Sequence, residues 1–526
     1  MQWTEAAYAW LQHSASGALD ESIFVAMQEA SPLEIEGLLE ILCANDDTCH
    51  AQPRRLRVLM QALSAAQLSR VASRRGLEAR NQAGTGSSQV TDAIQIAPEL
   101  LGRVYEVVHA VDALAGGHIL QMLAAEPNED AVDALASALI ETPPDDWRAV
   151  SVALSPMWNA DSQTLELFFA RIDAGFFQPS AMAILLDLAN FAFRKGLLRQ
   201  HPWAHRQPEL TKIMENVVHR LTKLEEDPKQ FGSDVSTVHR VLNDSVALTV
   251  SMCDALGLMG AHESESHLER TLELSHRRIQ SEAAGALARL GNPVGRQRLL
   301  ELAADPAARL RALAYAEELG FADQIDDDLR HPVAVAEATL AAWLAEPEQF
   351  SFPPSELELV DSRTQYWPGY DEPQDCYLFR YTYRLNQGYH SNIGIVGPAT
   401  HAFHTDLANL PVEDIYAAFA GWHVEHEDIF EIPVPLLNAA QRRELDQLEH
   451  NLELRGVELK ESQALTFMLG EIALLARAEV GGKLSWLVTD GLELLCFPVA
   501  STPTAITPEV VLAVYRGRKL LRTFNV

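Results

Sequence analysis

The chain is 526 residues long, 48% apolar and 22% charged, with 73 acidic against 41 basic residues and a formal net charge of -32. A single hydrophobic core stops growing at about 250 to 300 residues, so two or more units or a repeat array are expected, and the composition excludes intrinsic disorder. The acidic balance argues against nucleic acid, whose phosphates must be neutralised by Lys and Arg, and suits solubility or a basic partner.

Met1–Ala6 lacks the basic segment and apolar run of a signal peptide, and no apolar stretch is expected to reach the roughly 18 residues that span a bilayer. The cysteines, Cys43, Cys49, Cys253, Cys376 and Cys496, include no CxxC pair. Neither a disulfide framework nor a thiolate zinc site is suggested, and a reducing, cytoplasmic setting fits best. From the N-terminus to about residue 350, amphipathic stretches of helical period alternate with short breaks. Leu38, Leu39, Ile41 and Leu42 mark one, Leu100, Leu101, Val104, Val107 and Val108 another, and Ile184, Leu185, Leu188 and Phe191 a third. Thr142–Asp146 and Glu126–Asp130 carry the prolines and polar residues that end one helix and cap the next. The polar segment 81–88 reads as a flexible loop.

Repetition is clearest between residues 248 and 320. Leu248, Ile279 and Leu310 each open an Ala-rich helix, 31 residues apart. The helix ends recur at Gly260, Gly291 and Gly320, where glycine supplies the left-handed C-cap that turns the chain into the next helix. Residues 279–291 and 304–314 resemble HEAT repeats, particularly the short variety of phycobilisome-lyase-like proteins, and the resemblance is best over about residues 248–345. It implies an α-solenoid that binds proteins, with an internal ladder in which Asp305 and Arg311 would take part and which Gln280 would interrupt. A phycobilin lyase and a reader of DNA lesions also attach to the resemblance, the first needing a chromophore-bearing host and the second a basic groove.

Arg277, Arg278, Arg289, Arg296, Arg298, Arg309 and Arg311 lie in a short stretch with only Glu282, Glu301 and Asp305 against them. The first six are candidate binding residues for a carboxylate-rich or phosphorylated segment, which Arg grips in bidentate fashion. Against that stands a structural reading, in which they are ladder residues, partners of helix C-termini and solvated positions.

Beyond Phe350 the pattern changes. Residues 351–375 read as a proline-containing hinge, and 376–526 as an α+β domain, so the fold class is mainly α: a helical repeat domain over 1–350 followed by a smaller α+β domain. Tyr377–Leu385 and Asn392–Val396 alternate like half-buried strands. Helices are predicted over 413–427, 439–455 and 463–478, and a last one after Pro508. Asp490-Gly491 between apolar runs predicts a two-residue type I′ hairpin.

His401, His404, His423 and His426 are the best chemical candidates, as ligands of a metal such as zinc, with His423 and His426 on one helix face. Neither pair is an HExxH arrangement, and no GxSxG, Walker or GxGxxG pattern is present. Cys376 and Cys496 sit in apolar strands, where a thiol packs as a small hydrophobe. Trp367, Tyr370, Tyr377, Tyr381, Tyr383 and Tyr389 crowd the first strands, as a recognition groove or as core pairs. The favoured reading is a non-enzymatic scaffold that holds a protein partner on the repeat surface and at its junction with the C-terminal domain. The alternative is a metal-dependent enzyme with its site in that domain.

Overall fold

The computed structural model describes residues 2–12, 19, 21–82, 96–172, 179–231, 234–346, 348–385, 388–500, 502 and 504–525. Apart from its first two residues, which end a helix, the polar segment 81–88 lies outside them. The chain divides into two compact units, 1–298 and 299–526.

Among the described residues of the first unit the regular elements are helices. α1 (Gln2–Gln12), α2 (Glu21–Glu29), α3 (Pro32–Ala44), α4 (Asp46–Ala51), α5 (Pro53–Gln82), α6 (Pro98–Val111), α7 (Ala113–Ala125) and α8 (Glu129–Glu141) come first. α9 (Trp147–Leu154), α10 (Ser162–Ile172), α11 (Pro179–Arg194), α12 (Gln207–Glu226), α13 (Val235–Leu258), α14 (Glu265–Thr271), α15 (Arg277–Arg289) and α16 (Pro293–Leu302) follow, the last crossing the division. Side-chain oxygens set the starts. Ser31 and Glu34 form a reciprocal capping box on α3, while Asp112, Asn128, Asp146 and Asp234 accept from first-turn N–H groups of α7, α8, α9 and α13. Along the series α5, α7, α9, α11, α13 and α15 each helix packs on the next, as do α6, α8 and α10. Leu123, Leu154, Leu188 and Leu256 are fully buried in the shared core.

Contrary to the reading of the sequence, one helix among the described residues is long and apolar enough to cross a membrane by length and composition: α13, over Ser236–Leu258. Two-thirds of its apolar 18-residue window is buried, because α13 is enclosed by α11, α12 and α15, and a core helix needs the same apolar surface as a membrane span.

Gly260, Gly291 and Gly320 have φ of 70°, 83° and 74°. At each, the next N–H returns to a carbonyl five residues back: Ala261 to Leu256, Asn292 to Leu287 and Phe321 to Ala316. These are three copies of one Schellman-type ending, and only glycine enters that backbone region without steric cost.

The second unit opens with α17 (Pro306–Glu318), α18 (Asp327–Arg330) and α19 (Pro332–Leu344). Sheet A is an antiparallel meander of β1 (Glu356–Gln365), β2 (Gln374–Leu385), β3 (Gly388–Val396) and β4 (His401–Ala402), followed by α20 (Val412–His423). Sheet B is a second meander of β5 (Ile429–Pro433), β6 (Glu458–Met468), β7 (Glu471–Val480), β8 (Lys483–Thr489) and β9 (Leu494–Pro498). α21 (Ala439–Leu454) interrupts it and α22 (Pro508–Phe524) follows. Alternation along β2 sends Phe379, Tyr381 and Tyr383 to a core with Ala336, Leu340 and Leu344 of α19. Cys376 and Leu378 go to the opposite face, against Ile415 and Phe419 of α20. Likewise β7 directs Leu475 to that central core and Leu474, Ala476 and Ala478 to Leu445, Leu448 and Leu452 of α21. The unit is therefore layered, helix on sheet, a central helix pair, sheet and helix. Because α19 is part of this core, compactness divides the chain before the point where strands begin. β1 also occupies much of the segment 351–375 that reads as a hinge.

Two further expectations are corrected. Residues 463–478 are not a helix but most of the β6–β7 hairpin, turned at Leu469 and Gly470 with φ of 50° and 89°. Helix-forming Ala, Leu and Glu fill this stretch, and burial of β7 on both faces removes the alternation that announces a strand. The β8–β9 connection is four residues long, Asp490–Glu493, with Gly491 at a φ of 87°. Asp490 accepts from the N–H groups of Leu492 and Glu493 and pairs with Lys519 at 2.7 Å. Burial opposes its charge, yet these partners hold its carboxyl down at about 2.

Candidate protein-binding surface

Helices α11, α13 and α15 lie side by side, α13 packing on both of the others, and each carries polar residues toward this junction. α11 supplies Asp187, Asn190 and Arg194, α13 supplies Ser251 and Asp254, and α15 supplies Arg278, Glu282 and Arg289. Asp254 holds the row together. Arg194 reaches its two oxygens at 2.5 and 3.1 Å, and Arg289 approaches at 3.3 Å. The close crossing needs Gly257, where a Cβ would stand 2.9 Å from the Ala286 Cα.

Asn190 donates to the Ser251 carbonyl at 3.1 Å. Its Oδ1 lies 3.0 Å from His201 Nε2, and His201 Nδ1 accepts the Trp203 N–H at 3.3 Å, so His201 is neutral with its proton on Nε2. Burial pushes His201 down to about 4. Glu282 is buried beside this network, whereas Asp187 and Arg278 are exposed. The surrounding helices desolvate the Asp187 carboxyl in part while leaving it open on one side, which raises it to about 6 against the opposing pull of Ser251 and Arg278.

His201 gives a pH prediction. The unfolded imidazole takes a proton near 6.5 and the folded one only near 4, so stability is fully present above 6.5 and lost as pH falls toward 4. That gap is worth roughly 3 kcal/mol. Denaturant unfolding between pH 7 and 4 should show this loss, and His201→Gln should flatten the slope attributable to it. An unchanged slope would mean that the imidazole is not held neutral.

Of the six arginines singled out by sequence, Arg278 and Arg289 join this row. Arg277 and Arg298 instead meet Gln280 Oε1 at 3.0 and 3.2 Å, while Gln280 Nε2 donates to the Leu274 carbonyl at 2.7 Å. Arg296 is exposed. Arg309, in the second unit, is 4% exposed and bonded inward to Ala303, Ala334 and Glu337, so it is a structural residue. Asp305 caps α17 through the Ala307 N–H, and Arg311 lies over the Tyr315 ring at 4.6 Å. No family model matches this chain, and no curated protein is similar to it in sequence.

The four histidines have separate roles. His401 stacks on Trp422 with ring centres 3.7 Å apart, and burial lowers it to about 4. His404 is exposed. His423 Nδ1 accepts the indole N–H of Trp367 at 3.2 Å. His426 Nδ1 accepts the Asp428 N–H at 3.1 Å. α20 ends at His423, so His423 and His426 do not share a helix face as the spacing suggested. Among the described residues no group of three or more His, Cys, Asp or Glu is arranged to hold a metal ion. All five cysteines are free thiols. Burial raises Cys376 to about 12 and also raises Cys496. Tyr381 and Tyr383 are core residues packed with Phe350, while Tyr389 is 77% exposed.

The row itself went unread in the sequence. Its signal was a charge inside an apolar window, Asp187 within Leu185–Leu188 and Asp254 within Met252–Leu256.

Proposed function

We propose that the first unit is a HEAT-like α-solenoid and that the protein is a non-enzymatic, cytoplasmic scaffold that holds a protein partner. The polar row across α11, α13 and α15 carries this reading. Ion pairs add little net stability whether exposed, as Arg194 is, or drawn inward, as Asp254 is, so folding alone does not call for Arg194, Asp254 and Arg289. They fix the geometry at whose open edge Asp187 and Arg278 present an acceptor and a donor to solvent. Neighbouring charges of opposite sign suit a polypeptide better than a phosphate backbone, as does the net charge of -32. The repeated Gly260 and Gly291 endings, 31 residues apart, support the repeat architecture.

Affinity capture from the native cell extract at near-physiological salt tests the reading. The wild-type chain should retain a protein whose recovery falls by about tenfold or more with Arg278→Glu. Equal recovery by both chains, or none by either, would overturn it.

A further inference from the structure

A second surface lies within the second unit. β1 is an edge strand of sheet A, and among the described residues no backbone group of 356–365 bonds outward from the sheet. No residue of β1 is fully buried. Leu359 sits opposite Phe379 in the β1–β2 register. Phe379 belongs to the core against α19, so Leu359, which is 41% exposed, points to the α19 side of the sheet. There a groove of about 490 Å³ runs between the strand and the α18–α19 segment, with Leu359, Phe379 and Val333 as its apolar part and Asp328, His331 and Glu337 along its wall.

The unpaired edge, the apolar floor beside it and the acidic wall form one arrangement. We propose that this groove takes an extended, cationic peptide segment from a partner protein, which adds to β1 as a further antiparallel or parallel strand and lays alternate side chains between β1 and α19. Main-chain hydrogen bonds to an edge strand supply affinity in such a mode, and every second side chain supplies specificity. Here an apolar side chain would cover Leu359 and Phe379, and a Lys or Arg two residues away would face Asp328. The Asp328 carboxylate is exposed and has no cation paired with it among the described residues, whereas Glu337 already holds Arg309 at 2.6 Å.

Charge also decides against a second copy of the chain as the occupant. β1 carries Glu356, Glu358 and Asp361 against Arg363 alone. In-register parallel pairing of two such strands would set like charges opposite each other, and pairing in either direction brings together molecules that each carry -32. The register shift between Leu359 and Asp361 bends the strand there, a device that discourages continuous self-pairing. It leaves 356–359, the stretch beside the groove, as the pairing segment. The site lies wholly in the second unit and does not depend on the reading of the first.

The test uses the full chain and a fluorescein-labelled decapeptide in which Thr alternates with Val and Lys, together with its Lys→Glu counterpart and a version N-methylated at alternate amides. Fluorescence anisotropy should show binding of the cationic peptide, weakened by about tenfold or more in the Glu peptide, in the N-methylated peptide and with Asp328→Lys. Amide exchange in 356–359 should slow when the cationic peptide binds. Absence of binding, equal affinity for all three peptides, or unchanged exchange in 356–359 would overturn the proposal. So would protection of β1 that rises with protein concentration alone, which would assign the edge to a second copy.

Discussion

Gly517→Ala is expected to unfold the second unit, lowering its stability by about 4 kcal/mol or more. α20 and α22 cross at Ala417 to Gly421 and Ala513 to Gly517, and the contact is reciprocal. A Cβ on Gly517 would fall within the radius of the Ala417 carbonyl oxygen and 2.5 Å from its carbon. A Cβ on Gly421 would meet the Ala513 carbonyl in the same way, 2.8 Å from its carbon and from Gly517 N. These neighbours are backbone atoms of helices, so no side-chain rotation relieves the overlap and the helices must part by about 1 Å. Parting them disturbs Tyr416, Phe419, Val511 and Tyr515, which join the central core of both sheets. Gly37, in α3, has nothing within 4 Å of an added Cβ, and Gly37→Ala should be neutral or stabilise by about 0.5 to 1 kcal/mol. Thermal and urea unfolding of the two variants decides the matter. If Gly517→Ala is as stable as Gly37→Ala, the helices do not cross this closely.

Arg309→Ala should cost about 3 to 5 kcal/mol, because it strands partners that are already out of water. The guanidinium donates to the carbonyls of Ala303, Ala304 and Ala334 at 2.9, 3.3 and 2.7 Å and to Glu337 at 2.6 Å. It thereby ties the end of α16 to α19. Arg309→Lys should recover only part of the loss, since one ammonium cannot reproduce a planar fork with five donors. Arg278→Glu, at an exposed position, should change stability by no more than about 0.5 kcal/mol. Urea midpoints for the three variants separate a structural arginine from a surface one. Equal midpoints for Arg309→Ala and Arg278→Glu would mean that Arg309 is not buried and bonded as described.

Local signals in the sequence were read correctly where one residue type has one conformational use. Gly260, Gly291 and Gly320 end helices in the left-handed region. The helices expected over 413–427 and 439–455 are Val412–His423 and Ala439–Leu454, marked by their apolar period and, for the second, by the Asn438 capping box. Tyr377–Leu385 and Asn392–Val396 fall inside β2 and β3, where one aromatic or β-branched face is buried. The reading failed where tertiary burial overrode local preference. β6 and β7 are built from helix-forming residues, and β7 is covered on both faces. β1 has alternating charges and no buried residue, so nothing in its sequence distinguishes an edge strand from a linker.

The candidate surfaces divide in the same way. The arginine cluster was visible as composition, but sequence proximity could not tell Arg309, folded inward, from Arg278, open to solvent, or bring Asp254 to Arg194 and Arg289 across three helices. The four histidines were close in sequence, and their rings found Trp367, Trp422 and the Asp428 N–H instead of one another. By itself the sequence determined the helical character, the repeating glycine endings and the acidic charge, because these depend on backbone sterics and composition within a few residues. Only the tertiary structure decided which charges are buried and paired, which strand is left at an edge and where two glycines let helices touch. Those features arise between segments far apart in the chain, where distance and desolvation set the energies.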